Sequence, residues 1–157
     1  MCNKIRSSES SSSTLIVGSI TAVLTAIAIP VFSAQLEKSR ESVDLANIRS
    51  YYAEITTGIL TGDLVKKDST ITVATNLTAT LGADIPTTAG GTFTVTVAGA
   101  TLSQKTVKWQ TASYDVAGVT SITGIDSAIP AAKAANIAYT FTLATDGDYY
   151  LSAIAIS

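Results

Sequence analysis

TLIVGSITAVLTAIAIPVF, Thr14 to Phe32, carries no charge, and SAQLEKSRESVDLANIRSYYAEITTGIL, Ser33 to Leu60, has no glycine or proline before Gly58. These two consecutive stretches decide the fold. The first is 19 residues long, about what a helix needs to cross a bilayer core. In the second, Leu45, Ile48, Tyr52, Ile55 and Ile59 recur at intervals of three and four and form one apolar face. That face is predicted to pack on a sheet, while Lys38, Arg40, Asp44 and Arg49 fall on other faces. Glu37 with Arg40 and Glu41 with Asp44 are local pairs, one opposite and one like in sign, worth tenths of a kcal/mol. Gly58 and Gly62 mark the end. The spacing therefore predicts one helix of roughly 45 residues from about 14 to about 59, spanning about 65–70 Å at ~1.5 Å per residue. A small globular domain cannot bury a helix of that length, so its first half is expected to be served by lipid or by other subunits.

Upstream, residues 1–13 are polar, with Lys4, Arg6, Glu9 and four consecutive serines, and read as a leader or cytoplasmic segment. Residues 14–32 form the membrane or filament-core half of the helix, and 33–157 the head together with the amphipathic half. The candidate core residues are Leu15, Ile16, Gly18, Ile20, Val23, Leu24, Ala26, Ile27, Ala28, Ile29, Pro30 and Phe32. Gly18, Ala22, Ala26 and Ala28 permit close approach of another helix. A cleaved secretory signal and a buried core helix are the alternatives. A signal would have a shorter apolar region followed by a small-residue cleavage site, whereas Pro30-Val31-Phe32 leads directly into a charged helical pattern. Pro30 removes a helix hydrogen bond at the Ala26 carbonyl. Two readings stay open: a simple bend, or a helix that unwinds on transfer from bilayer to filament.

After Gly62 the apolar period changes to two. Expected strands are Thr70–Ala74, Thr92–Ala98, Thr106–Gln110, Ile137–Ala144 and Tyr149–Ile156. Phe93, Val95 and Val97 alternate with threonines, as do Tyr139, Phe141 and Leu143. Asp146-Gly147 is a hairpin signal. Asn76–Gly91 and Thr111–Lys133 read as threonine-, glycine- and alanine-rich loops, interrupted by Pro86 and Pro130, and are the places for subunit contacts or binding. Trp109 reads as a core or edge residue rather than a binding platform. The expected fold class is α+β, a long N-terminal helix packed on a small antiparallel sheet.

Composition narrows function. Charged residues are 14% of the chain against roughly 25% in ordinary soluble domains, and the net charge is -2. Basic residues are scattered, which argues against a nucleic-acid groove. There is no histidine, the usual general base near neutral pH. The one cysteine, Cys2, can make neither an internal disulfide nor a cysteine-based zinc site. Asp146 and Asp148 could be read as paired carboxylates or weak calcium ligands, but their turn position without further converging ligands favours a turn role. The chain is expected to be no enzyme and to hold no cofactor or metal.

AIAIPVFSAQLEKSRESVDLANIRSYYAE, Ala26 to Glu54, resembles the N-terminal helix of type IV pilins and pseudopilins of Gram-positive bacteria. The distinctive pieces are Ala26-Ile27-Ala28-Ile29-Pro30 followed by Phe32, and the charged run Glu37-Lys38-Ser39-Arg40-Glu41. The resemblance implies a pilin-like fold and a single-pass membrane protein with its head outside. Its helices would then bundle in an extracellular pilus or a cell-envelope pseudopilus. Implied partners are further copies of the chain, minor pilins, a prepilin peptidase, the pilus assembly machinery, and the bilayer before assembly. The family's processing site reads glycine, phenylalanine, threonine, leucine, a variable residue and glutamate. Here Ser13-Thr14-Leu15-Ile16-Val17 stands instead, with no preceding glycine and no glutamate in the apolar run. The leading expectation is a structural filament subunit. The alternative is a monomeric, membrane-anchored surface binding or adhesion domain using the same helix as a simple anchor.

Overall fold

The structure, a computed structural model, describes residues 6–74, 76–105, 108–111, 114–125 and 134–157, with side chains from Ser13 onward. Among the described residues one helix, α1 (Arg6–Thr61), precedes six strands: β1 (Thr70–Val73), β2 (Leu77–Leu81), β3 (Thr92–Thr101), β4 (Ile122–Thr123), β5 (Ala134–Leu143) and β6 (Tyr149–Ile156). The chain divides into two compact units, one ending at Leu36 and one beginning at Glu37.

The helix starts at Arg6 rather than near residue 14, because the serine-rich stretch holds no glycine or proline to stop it. Pro30 lies inside it without ending it. The C-terminus is a Schellman cap. Gly62 takes a φ of 83°, its N–H donates to the Ile59 carbonyl (3.3 Å), and the Asp63 N–H donates to the Gly58 carbonyl (2.9 Å). A Cβ at Gly58 would come within 2.8 Å of Ile71 Cδ1, so glycine there lets the helix lie close to β1.

The unit beginning at Glu37 is a two-layer α+β fold, with the second half of α1 packed on one face of a six-stranded sheet ordered β1-β2-β3-β5-β6-β4. The sheet is mixed rather than purely antiparallel, since β4 pairs parallel with β6 through Ile122–Ile154 and Thr123–Ala155. Two strands lie in segments that read as loops. β2 occupies part of 76–91, and its Ala79 and Leu81 are buried. β4 occupies part of 111–133, of which 112–113 and 126–133 lie outside the described residues. The strand expected at Thr106–Gln110 is not formed over 108–110, and 106–107 lie outside the described residues. There the backbone bonds to helix carboxylates instead of to a neighbouring strand.

Alternation in the long strands buries Phe93, Val95, Val97, Ile137, Tyr139 and Phe141 beneath the helix. Leu45, Ile48 and Ile55 are buried against them; Tyr52 and Ile59 are half-buried, and Tyr51 is buried as well. Phe93 stacks on Phe141 with centroids 5.2 Å apart, and Tyr52 stacks on Phe141 at 6.1 Å. The buried Tyr139 hydroxyl donates to the Ile48 carbonyl (2.8 Å), which ties sheet to helix at the centre of the core. Burial pushes the Tyr139 phenol up, so it remains a donor at any physiological pH. Trp109 is buried and meets Tyr114 edge-on. The turn Ala144–Asp148 joins β5 to β6, with Gly147 at a φ of 93°.

Candidate functional site: an uncovered apolar helix and a carboxylate clasp

Within the unit ending at Leu36, the helix has no apolar shelter. Eleven large apolar side chains between Leu15 and Leu36 are exposed, from Val31 at 54% to Leu15 at 73%. Leu15, Ile16, Ile20, Val23, Leu24, Ile27, Ile29 and Phe32 are all among them; Gly18, Ala26 and Pro30 are exposed too, and Ala28 is half-buried. They point in every direction around the helix axis. Burying a large apolar side chain is worth about 1.5–3 kcal/mol. Eleven of them, each already partly shielded by the helix, leave roughly 10–20 kcal/mol unrealised in water. That exceeds or matches the whole stability of an ordinary domain, about 5–15 kcal/mol.

The polar groups of this segment turn inward on their own backbone. Ser19 donates to the Ile16 carbonyl (2.8 Å), Thr21 to Val17 (2.8 Å), Thr25 to Thr21 and Ala22 (3.0 Å each), and Ser33 to Ile29 (2.9 Å). Hydroxyls satisfied this way can enter an apolar medium at little cost. By length and composition the helix can span a membrane, a test that a signal-like segment also meets.

Charge in the second half of the same helix is turned inward. Glu37, Glu41 and Asp44 are 3%, 1% and 0% exposed. At intervals of four and three they share one face, and each receives backbone N–H groups from segment 103–111. Asp44 accepts from Ser103 N (2.7 Å) and Gln104 N (3.0 Å), and Glu37 from Lys105 N (2.5 Å). Glu41 accepts from Gln110 N (2.5 Å), Thr111 N (2.8 Å) and Thr111 Oγ1 (2.5 Å). Arg40 closes an ion pair with Glu37 at 3.0 Å. A carboxylate holding two or three N–H donors recovers much of its desolvation cost. Burial nevertheless raises the Asp44 pKa, partly offset by the Ser103 and Gln104 N–H groups, and the Glu37 charge raises it further. One turn along, Arg49 forks onto the Asp115 carbonyl at 3.0 and 2.7 Å. The clasp pins residues 103–105 and 108–111, which form no strand among the described residues.

Among the described residues no group of three histidine, cysteine or acidic side chains is arranged to hold a metal ion. Asp146 accepts the Asp148 N–H (3.2 Å) within the β5–β6 turn. A groove of about 430 Å³ lies between α1 and β1, lined by Ser50, Glu54, Gly58, Asp63 and Ile71. Both its carboxylates are engaged, Glu54 with Ala74 N (2.7 Å) and Asp63 with the Thr61 hydroxyl (2.7 Å). The solvent face of the sheet presents threonines in adjacent strands, among them Thr70, Thr80, Thr94, Thr96, Thr140 and Thr142.

No protein-family model, curated protein or solved structure matches this chain. What stands is the architecture: a small α+β domain with one long, apolar N-terminal helix.

Proposed function

We propose that this chain is a structural subunit of a surface filament of the type IV pilus or pseudopilus kind. It is held in the bilayer by residues 14–32 before assembly and polymerises through the same residues. One observation carries the reading: eleven large apolar side chains between Leu15 and Leu36 are exposed on a helix whose hydroxyls are satisfied internally. Such a surface requires lipid or other copies of itself. The likeness of Ala26–Glu54 to the pilin helix supports copies as the final partner.

The second reading, a monomeric anchored binding domain, is favoured by the absence of a glutamate from the apolar run. A buried carboxylate paired across subunits would set register; here only shape and apolar contact remain to do so. Electron microscopy of cells carrying a tagged copy, with a deletion strain as control, tests the filament reading. Tag along the filaments, and filaments lost in the deletion strain, are the expected results. Unchanged filaments without tag would refute it. In that case a monomeric pattern on crosslinking Ala26→Cys or Ala28→Cys would establish the anchor.

A further inference from the structure

Among the described residues the sheet of the head has an unpaired edge at β1 and an unpaired end at β6, and their hydrogen-bonding patterns match. Leu143 exchanges both its backbone hydrogen bonds with Gly90 and Gly91, on the β3 side (2.8 and 2.9 Å). In an antiparallel ladder bonded residues alternate, so Thr142 is the residue that bonds Tyr150. The N–H and C=O groups of Tyr149 and Leu151 therefore point to the outer edge of β6. β4 covers that edge only at Ile154 and Ala155. A register shift between Thr140 and Phe141 separates the covered end from the open one. Among the described residues, no backbone hydrogen bond reaches Tyr149 or Leu151 on that side; Leu151 is 4% exposed, so the edge is open at Tyr149, which is 38% exposed. Beside them lies a cleft of about 450 Å³, lined by Ala117, Gly118, Thr120, Tyr150 and Ser152 among others, none of them charged.

At the far edge, the Leu81 N–H donates to the Ser69 carbonyl (2.9 Å). Ile71 and Val73 then bond β2, and Thr70 and Thr72 turn their backbone groups outward. Counting the antiparallel steps from β1 through β2, β3 and β5, β1 runs in the same direction as β6. A copy shifted along the sheet would thus bring its β1 to β6 in parallel, the relation β4 already adopts. Faces also match. Thr72 and Tyr150 are exposed, whereas Ile71 and Leu151 lie toward the core.

We infer that β1 of a second copy adds to the open end of β6 at Tyr149, joining heads edge to edge into a continuing sheet. In parallel pairing one residue receives from and donates to residues two apart on its neighbour, and Thr70 and Thr72 supply that pair. The contact is heterologous, so it leaves a free edge at each end and propagates. It is short and weak alone; it gains its effect from copies already held together by their helices. The inference rests on the filament reading above.

The test uses the full chain in lipid vesicles with Cys2→Ser, and oxidative crosslinking of the double variant Thr72→Cys/Tyr150→Cys. A separate arm carries Ala26→Cys. The inference predicts a ladder beyond dimers for the edge pair, at least tenfold above either single variant. Crosslinking at Ala26→Cys with no such ladder overturns the edge contact and leaves the filament reading standing. Crosslinking at neither place overturns both. As a second measurement, Thr72→Pro removes one outward N–H at an edge where proline is tolerated. It is expected to cut the yield of disulfide-linked dimer at Ala26→Cys severalfold with the head's melting temperature unchanged; an unaltered yield counts against the inference.

Discussion

The two halves of α1 obey opposite rules. Between Leu15 and Leu36 the apolar side chains are outside, and the few hydroxyls fold back onto the helix. From Glu37 on, three carboxylates are inside, and Lys38 and Val43 are exposed. A helix satisfies its own backbone equally well in water, lipid or protein, so secondary structure does not reveal which medium each half needs. Side-chain accounting does. The first half has apolar area with nothing to cover it, and the second has acids with backbone donors waiting for them.

The comparison breaks most visibly in the first half. Leu24→Lys together with Ile20→Lys places two charges in the apolar run, at about 2.5–3.5 kcal/mol each near a bilayer centre. Membrane association, measured by alkaline extraction, is expected to collapse, while the head's melting temperature holds. If the head melts early instead, the halves are not independent.

In the second half, Glu41→Ala leaves the Gln110 and Thr111 N–H groups without their acceptor. A buried donor stripped of a charged acceptor costs about 1–3 kcal/mol, so a loss of roughly 2–4 kcal/mol is expected in urea unfolding. Glu41→Gln, which keeps one acceptor oxygen, should lose less. Equal losses for the two variants would mean that the acceptors are not what the site requires.

Asp44 sharpens the comparison through pH. Its folded pKa is raised above 3.8, chiefly by burial, so the folded state binds the proton more tightly than the unfolded one. The stability linked to this group is then full below about pH 3.8 and declines as pH rises through the folded pKa. The melting-temperature advantage of the native protein over Asp44→Asn is expected to be larger near pH 4 than at pH 7. A gap that stays flat or narrows on acidification contradicts the burial argument. The smallest effect belongs to the helix end: Gly62→Ala, at a φ of 83°, should cost about 1 kcal/mol without altering membrane association.

Much of the fold is legible in the residues. The uncharged run ending at Phe32 and the spacing from Leu45 to Ile59 announce the helix, and alternation with threonine announces β3 and β5. β2 escapes because LTATL presents Ala79 between its leucines and sits among turn residues, which weakens a pattern that is nonetheless there. β4 has two residues, too few for any period to show. The clasp is invisible for a different reason. It joins helix acids to backbone N–H groups 59 to 70 positions away, and a backbone donor has no side-chain signature. In the sequence Glu37, Glu41 and Asp44 read only as members of local charge pairs, because helical spacing reports which residues share a face, not what lies across from it.

The central claim is that residues 14–32 are covered by lipid or by copies of the chain, and that the sheet's solvent face is not. Single cysteines at Leu24→Cys and Thr78→Cys, in a Cys2→Ser background, can be exposed to a membrane-impermeant maleimide on native membranes and on intact filaments. Rapid labelling is expected at Thr78→Cys, exposed on the sheet's solvent face, and at least tenfold slower labelling at Leu24→Cys. Equal labelling rates at the two positions would contradict it.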